Sequence, residues 1–120
     1  MIELRDVYKT LGNKQVLRGM DLHVESGETF VIIGRSGIGK SVMLRHLVGL
    51  MKPDRGTVRV FGNELSSLQN GLLKEYRMKI GYLFQDGALL NWLTVHENVA
   101  LPLREHRLLQ EPELSQKVID

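Results

Sequence analysis

The segment Thr29-Phe-Val-Ile-Ile-Gly-Arg-Ser-Gly-Ile-Gly-Lys-Ser-Val-Met-Leu-Arg-His-Leu-Val-Gly-Leu-Met51 lies at the centre of this 120-residue chain. Its first residues, 29–33, are apolar or β-branched and predict a strand buried on both faces. Residues 34–41 match the phosphate-binding pattern G-x-x-x-x-G-K-S/T at every fixed position. Apolar residues then recur at the spacing of a helix. The order of strand, glycine loop and helix is the context that this motif requires.

The residues of this loop suit a polyphosphate for chemical reasons. Gly34, Gly37 and Gly39 allow backbone angles that a Cβ would block, so that consecutive N–H groups can turn toward one anion. The helix that begins near Gly39 adds unpaired amides and the positive end of its dipole. Lys40 places an ammonium against the outer phosphates, and the Ser41 hydroxyl is placed to ligate Mg²⁺. We therefore predict nucleotide binding rather than a glycine-rich turn before an ordinary helix.

The composition is that of an ordinary soluble globular protein, with 42% hydrophobic and 25% charged residues. No apolar run approaches the roughly 18 residues of a membrane span, and no signal-peptide pattern opens the chain. The net charge of +2 is too balanced to indicate a nucleic-acid partner. Because the sequence has no cysteine, disulfides and thiolate metal sites are excluded.

Strands of antiparallel character flank the central segment. Residues 1–8 alternate as in a half-buried strand, Gly12-Asn13 marks a turn, and residues 16–24 predict a second strand. Residues 57–61 alternate in the same way, and residues 79–84 predict a strand that stops at a turn signal. The side chains expected to face inward from the antiparallel strands are Ile2, Leu4, Val7, Met20, Leu22, Val24, Val58 and Val60.

Capping boxes predict two further helices. Ser66 reads as an N-cap with Gln69 three residues later, before a helix that Asn70-Gly71 weakens. Thr94 and Glu97 form the second box. The helix after Thr94 is expected to run along Val95, Val99 and Leu103 and to be bent or ended by Pro102, and a last helix is predicted over 111–118.

Taken together, these residues resemble the front portion of the ATPase of an ATP-binding cassette (ABC) transporter. The resemblance runs through Ile33–Ser41, Leu50–Thr57, Gly81–Gly87 and Leu93–Leu103. It implies an α/β fold, with a P-loop NTPase core of parallel sheet and helices, preceded by a small antiparallel β subdomain and truncated before the Walker B strand. The implied parts are antiparallel elements at about 1–28 and 56–65, the P-loop core at 29–51 and 79–85, and the Q-loop with the start of the helical subdomain at 85–120.

The resemblance also implies a site for ATP and Mg²⁺. Gln85 falls where the family carries its Q-loop glutamine, which helps to coordinate Mg²⁺ and to position the attacking water; alone, it would read as a polar residue that ends a strand. Lys40 and Gln85 are the implied catalytic residues, and Ser41 and Gln85 the implied metal ligands. The implied nucleotide contacts are Gly34, Arg35, Ser36, Gly37, Ile38, Gly39, Lys40, Ser41, Val42 and Leu11.

Three positions depart from the family pattern. Leu11 falls where the family has an adenine-stacking aromatic residue, and Tyr8, three residues earlier, is expected to pack on the strand instead. Val42 replaces a second hydroxyl, although its backbone N–H can still serve the α-phosphate. Arg35 replaces the usual proline and is either a charge near the phosphates or a solvent-facing side chain.

A narrower similarity rests on Leu83–Leu89 and Val99–His106, which look like the ATPase subunit of bacterial systems that move phospholipids between membranes. It implies a second copy of the subunit, a permease contacted through residues 86–103, and a position on the cytoplasmic face of the inner membrane. The alternatives are an ABC importer or exporter ATPase for another substrate, a small P-loop kinase, and a non-catalytic interaction module.

The signature loop, the Walker B pair and the switch histidine of the family do not occur in these residues, so an amino-terminal piece that is inactive alone is expected. The four histidines lie too early for the switch and are interpreted as structural or solvated. In the family fold, strands that are missing here separate 29–33 from 79–84. We therefore expect repacking, exchange of elements between copies, or a cut subunit. The histidines are His23, His46, His96 and His106.

Overall fold

The computed structural model describes residues 1–35, 37, 39–85 and 87–105. Two compact units divide the chain, one over Met1–Ile80 and the other over Gly81–Asp120. The first unit holds strands β1 Ile2–Leu11, β2 Lys14–Val24, β3 Arg55–Val60 and β4 Asn63–Glu64, helices α1 Lys40–Leu47 and α2 Asn70–Arg77, and a 3₁₀ turn at Leu65–Ser67. The second unit holds α3 Val95–Glu105.

The strands of the first unit form one antiparallel sheet in the order β2-β1-β3-β4. The hairpin of β1 and β2 turns at Gly12 and pairs Leu11 with Lys14 and Ile2 with Val24. The other side of Ile2 pairs with Val60 of β3. The predicted antiparallel elements before and after the glycine loop therefore lie in the same sheet.

A bulge at Asp6 explains how two core residues of β1 can be three positions apart. Asp6 has φ of 50°, and the pairing with β2 shifts between Leu4 and Val7. In a regular strand, residues three apart point to opposite faces, whereas one extra residue restores a shared face. Leu4 and Val7 are consequently both fully buried, as the sequence predicted.

The core of the first unit lies between this sheet and the two helices. Met43 from α1 and Tyr76 from α2 are buried in it together with side chains from the strands. Burial of each large apolar side chain stabilises the fold by about 1.5–3 kcal/mol, so this cluster anchors α1 on the sheet. The other buried members are Leu4, Val7, Leu17, Val58, Val60 and Leu65.

The predicted strands at 29–33 and 79–84 are not present as paired strands. Neither segment joins the sheet, and Val31 and Ile33 are 71% and 90% exposed, so the prediction of a strand buried on both faces is wrong for this structure. The physical reason is that the described residues offer no parallel partner to either segment, because all four strands of the sheet are antiparallel. A strand without neighbours cannot satisfy its backbone groups or bury its side chains.

The predicted N-cap at Ser66 is also wrong. Helix α2 begins at Asn70 with Gln69 as its N-cap, and no side-chain hydrogen bond caps it. Ser66 lies in the 3₁₀ turn, where its hydroxyl is 2.8 Å from a carboxylate oxygen of Glu64. Leu68 is extended, with ψ of 130°, and this break delays the helix, so that Asn70 lies in its first turn.

In the second unit, the capping box at Thr94 is confirmed, but the predicted apolar face is not. Val95 and Val99 are 82% and 52% exposed, and the fully buried residue of α3 is Ala100. Pro102 lies within α3, which continues to Glu105 rather than ending at the proline. The last predicted helix, at 111–118, lies outside the described residues.

Candidate functional site

The glycine loop runs directly into α1. Gly37 and Gly39 have φ of 78° and 103°, in the region that favours glycine, which confirms the conformational reason for glycine at these two positions. Gly39 is the N-cap of α1. Ser36 and Ile38, two of the predicted nucleotide contacts, lie outside the described residues.

Gly39 also fixes the loop against the sheet. A Cβ added there would lie 2.9 Å from Leu17 Cδ2 and 3.1 Å from both the Val16 Cγ1 atom and the Val16 carbonyl oxygen. Such distances are shorter than normal contacts, so only glycine allows the start of α1 to approach β2 this closely. The local sequence motif and the tertiary packing therefore require the same residue.

The side chain of Lys40 lies within the loop. Its ammonium donates hydrogen bonds to the carbonyl oxygens of Gly34 and Arg35, the latter at 2.6 Å. Ser41 and the Arg35 side chain are exposed, and Val42 is half-buried. The structure thus brings the predicted lysine next to the first residues of the loop.

The amino-terminal end of α1 leaves backbone donors available. The N–H of Met43 donates to the Gly39 carbonyl at 2.8 Å, and no side chain caps the helix. The amides of Lys40, Ser41 and Val42 have no carbonyl one turn earlier within the helix. The first turn has no acidic residue. These donors, the helix dipole and one ammonium are the chemistry that binds a polyphosphate, so the described residues fit ATP.

The carboxyl-terminal end of α1 is arranged in the opposite way. The Tyr76 hydroxyl donates to the Leu47 carbonyl, and the Arg77 guanidinium donates to the carbonyls of Val48 at 3.1 Å and Gly49 at 2.6 Å. Burial raises the pKa of Tyr76 to about 12. Residues of α2 therefore satisfy the end of α1, which the sequence analysis did not predict because no local pattern links the two helices.

His46 supports the structural interpretation of that histidine. It is 1% exposed, and its Nδ1 atom lies 2.7 Å from the Val42 carbonyl one turn earlier in α1. His23 is exposed, and its Nε2 atom lies 2.7 Å from a carboxylate oxygen of Glu25. Neither side chain extends the loop described above.

The two residues considered for the base lie on β1. Leu11 is 40% exposed at the tip of the hairpin, so its predicted contact with adenine stays a prediction. Tyr8 packs on the sheet as expected, because the Arg55 guanidinium lies 5.2 Å from the centre of its ring and the tyrosine lies against Gly19. This cation–π contact holds the ring on the strand.

Gln85 belongs to the second unit. It is exposed in a turn that the Gly87 N–H closes by donating to the Phe84 carbonyl at 2.9 Å. The rings of Tyr82 and Phe84 meet edge to face just before it, with centroids 4.5 Å apart. The predicted roles of Gln85 in catalysis and Mg²⁺ coordination stay predictions.

The capping box of α3 is complete in both directions. The Thr94 N–H and hydroxyl lie 2.7 and 2.8 Å from Glu97 Oε2, and the Glu97 N–H donates to the Thr94 hydroxyl at 3.2 Å. Hydrogen bonds from the Thr94 backbone and then from its hydroxyl lower the pKa of Glu97 from its ordinary value. Asn98, one residue on, bonds back to Leu90, Leu93 and Thr94; the sequence analysis missed it, although an asparagine inside a helix is a signal of such bonding.

Among the described residues, none of the helices is both long enough and apolar enough to cross a bilayer. The fold, a P-loop that opens α1 beside a small antiparallel sheet, defines the P-loop NTPases of the ABC ATPase class. The profile of the family described as "ABC transporter" matches residues 17–119. The chain belongs to the ABC transporter family.

Known proteins agree with this assignment. The chain is 37% identical over 119 residues to the "Probable ribonucleotide transport ATP-binding protein mkl" of Mycobacterium leprae, covering 99% of this chain and 34% of that protein. It is 43% identical over 104 residues to the "Methionine import ATP-binding protein MetN" of Clostridium tetani, covering 87% of this chain and 33% of that protein. The chain therefore spans about a third of the length of these curated relatives.

The solved structures give the same fold. The chain superposes with a TM-score of 0.88 and 32% identity on a dimeric, post-hydrolysis state of the ATP-binding cassette MJ0796 bound to ADP and Pi, covering 99% of this chain and 54% of that one. A second structure of MJ0796, described as a dimeric bacterial ABC transporter cassette, gives a TM-score of 0.86 and 35% identity. The predicted fold class is confirmed.

Proposed function

We propose that this chain supplies the nucleotide-binding front part of an ATPase subunit that powers an ABC transporter. One observation carries the proposal most directly: the amino-terminal end of α1 combines uncapped amides with the Lys40 ammonium, next to positive-φ glycines at positions 37 and 39. This arrangement suits the phosphates of ATP, and Mg²⁺ supplies charge neutralisation at those phosphates when it is bound.

Each residue has a stated part in this proposal. The amides of residues 37 and 39–42 hold the phosphates, and Lys40 exchanges its present carbonyl partners for phosphate oxygens. Ser41 is the Mg²⁺ ligand of this segment, since its hydroxyl is exposed one residue after the lysine. Gln85 acts as the second metal ligand and as the residue that orients water. Arg35 adds positive charge on the solvent side of the loop.

The proposed partners are a second copy of the subunit and a permease. The solved neighbours are described as dimeric cassettes, and the curated relatives are named as ATP-binding proteins of transport systems. We assign the permease contact to residues 86–103 and place the assembly on the cytoplasmic face of a bacterial inner membrane. No role for nucleic acid is proposed.

For the transported substrate we propose a phospholipid. The support is the sequence similarity at Leu83–Leu89 and Val99–His106, whereas the relatives above carry names for ribonucleotide and methionine transport. The test uses the whole subunit with its permease in vesicles: transfer of a labelled phospholipid should require ATP. ATP-dependent uptake of methionine or a nucleotide, with no lipid transfer, would contradict this substrate.

The test of nucleotide binding is the substitution Lys40→Ala. The loss of a charge-assisted hydrogen bond should weaken ATP–Mg²⁺ binding by about 10- to 100-fold, equivalent to about 1.5–3 kcal/mol. Isothermal titration of the chain measures the affinity, and the same substitution should abolish hydrolysis by a version extended to the length of its relatives. The matched control is Lys52→Ala, an exposed lysine outside the loop that should leave binding unchanged. Equal affinities of Lys40→Ala and the wild type would favour a non-catalytic interaction module.

A further inference from the structure

The side chain of Asn98 on α3 fastens the segment that precedes the helix. Its Oδ1 atom accepts a hydrogen bond from the Leu90 N–H at 2.8 Å, and its Nδ2 atom donates to the Leu90 carbonyl at 3.1 Å. The same Nδ2 atom lies 3.2 Å from the Leu93 carbonyl oxygen and 3.0 Å from that of Thr94. One carboxamide therefore serves both backbone groups of Leu90 and two further carbonyls.

The fastened segment is a turn from Leu90 to Leu93. The Leu93 N–H donates to the Leu90 carbonyl at 3.1 Å, which is the bond of a β-turn. Thr94 follows at once and caps α3 through its box with Glu97. The turn is thus joined to the helix by the capping box at one end and by Asn98 at the other, so its shape is set by α3.

This turn presents a tryptophan to the solvent. Trp92 is its third residue and is 75% exposed, and the flanking Leu89 and Val95 are 75% and 82% exposed. Large aromatic side chains are the typical anchors of protein interfaces. An anchor held on a fixed turn loses less conformational entropy on binding than one on a free loop.

The chemistry of the contacts requires asparagine. The site needs one acceptor for an N–H and donors for several carbonyls on the same short stem, which an amide provides and an ionised carboxylate does not. Aspartate would direct negative charge at the carbonyls of Leu90, Leu93 and Thr94. Asparagine is also a weak helix former, so its place inside α3 has a cost that these hydrogen bonds offset.

We propose that Asn98 is the positioning residue of the permease-facing surface: it holds the turn at 90–93 so that Trp92 meets the transmembrane partner in one fixed geometry. The inference rests on the proposed function, because it assumes the permease contact within residues 86–103. Asn98 acts through Trp92 and touches no nucleotide. It sets how strongly the permease is bound, and it leaves nucleotide binding to α1.

The test compares Asn98→Asp with Asn91→Asp in the whole subunit and its permease. Both changes put a carboxylate on the same short segment, but Asn91 is an exposed residue of the turn. Asn98→Asp should weaken permease binding about tenfold, while ATP affinity and basal ATPase activity stay unchanged. Asn91→Asp should leave permease binding near the wild-type value. Trp92→Ala should match Asn98→Asp, and the double substitution should be no weaker than either single one, because both remove the same contact.

A second measurement reads the turn in the chain itself. Trp92 is the only tryptophan, so its fluorescence anisotropy reports this turn alone. Asn98→Asp and the uncharged Asn98→Ala should both lower the anisotropy, and if the aspartate variant does not fold, the alanine variant carries the test. Unchanged anisotropy and permease affinity, or additive losses with Trp92→Ala, would overturn the inference alone. A wild-type subunit that does not bind the permease would overturn the proposed permease contact and this inference together.

Discussion

The two ends of α1 are only eight residues apart but have opposite designs. At the amino-terminal end, no side chain caps the helix, and the one ammonium nearby rests on loop carbonyls. At the carboxyl-terminal end, Tyr76 and Arg77 of α2 donate to the carbonyls of residues 47–49. A helix normally needs both ends satisfied, so an open end beside a closed one marks where a ligand completes the structure.

Helix α3 sharpens this contrast. Its amino-terminal end is closed by the capping box of Thr94 and Glu97, in the same chain that leaves α1 uncapped. Open amides are therefore not the general condition of helices in this protein. The difference teaches that stability is built at the ends that bind nothing, and that the end facing the glycine loop is kept free for an anion.

The largest effect on this comparison is expected from Gly39→Ala. The new Cβ would meet Leu17 and the Val16 backbone at 2.9–3.1 Å on a residue with φ of 103°, so we expect a destabilisation of about 2–4 kcal/mol. Urea unfolding measures it. The matched control is Gly71→Ala in α2, where a Cβ meets nothing within 4 Å. That change should stabilise the chain by about 0.5–1 kcal/mol. Equal unfolding free energies for the two variants would remove the claim that the loop is fixed against β2.

A smaller effect is expected at the closed end from Tyr76→Phe. Loss of the hydroxyl leaves the Leu47 carbonyl without that donor, which should cost about 1–2 kcal/mol of unfolding free energy. ATP affinity should not change, because the substitution is at the far end of α1. Tyr82→Phe, in which the ring keeps its contact with Phe84, serves as the control. A Tyr76→Phe variant that lost nucleotide binding with normal stability would show that the two ends are not separate in function.

The smallest effect concerns the capped end of α3. The Glu97 carboxyl should titrate below its ordinary pKa of 4.5, because Thr94 donates to its charged form. A lowered folded-state pKa means that the contribution of the cap is present above the unfolded pKa and is lost as the pH falls through the folded pKa. NMR titration of the Glu97 side chain measures this, and Thr94→Ala should return the pKa toward 4.5. A Glu97 pKa that is identical in the two proteins would contradict the capping box.

Local patterns predicted the features whose causes are local. The glycine loop, the turn at Gly12-Asn13, the inward residues Leu4 and Val7 and the Thr94 box follow from motifs and periodicity, and the structure confirms them. The β-bulge that places Leu4 and Val7 on one face was not predicted. It depends on a positive φ at Asp6, which no residue pattern specifies.

Features that depend on distant partners were missed or wrongly predicted. The apolar composition of 29–33 indicates a buried strand, but burial requires neighbouring strands, and Ile33 is 90% exposed without them. Ser66 satisfies the capping pattern, yet Glu64 provides a nearer partner for its hydroxyl. The contacts from α2 to the end of α1 span 28 or 29 positions in sequence, beyond the reach of any helical spacing.

The most direct test of the open end of α1 is an NMR titration of the chain with ATP–Mg²⁺. We predict large shifts of the amide resonances of residues 37 and 39–42, little change at residues 47–49, and loss of the shifts in Lys40→Ala. Amide resonances of the loop that stay unmoved in the folded chain, or that move no more than those at the closed end, would contradict the account.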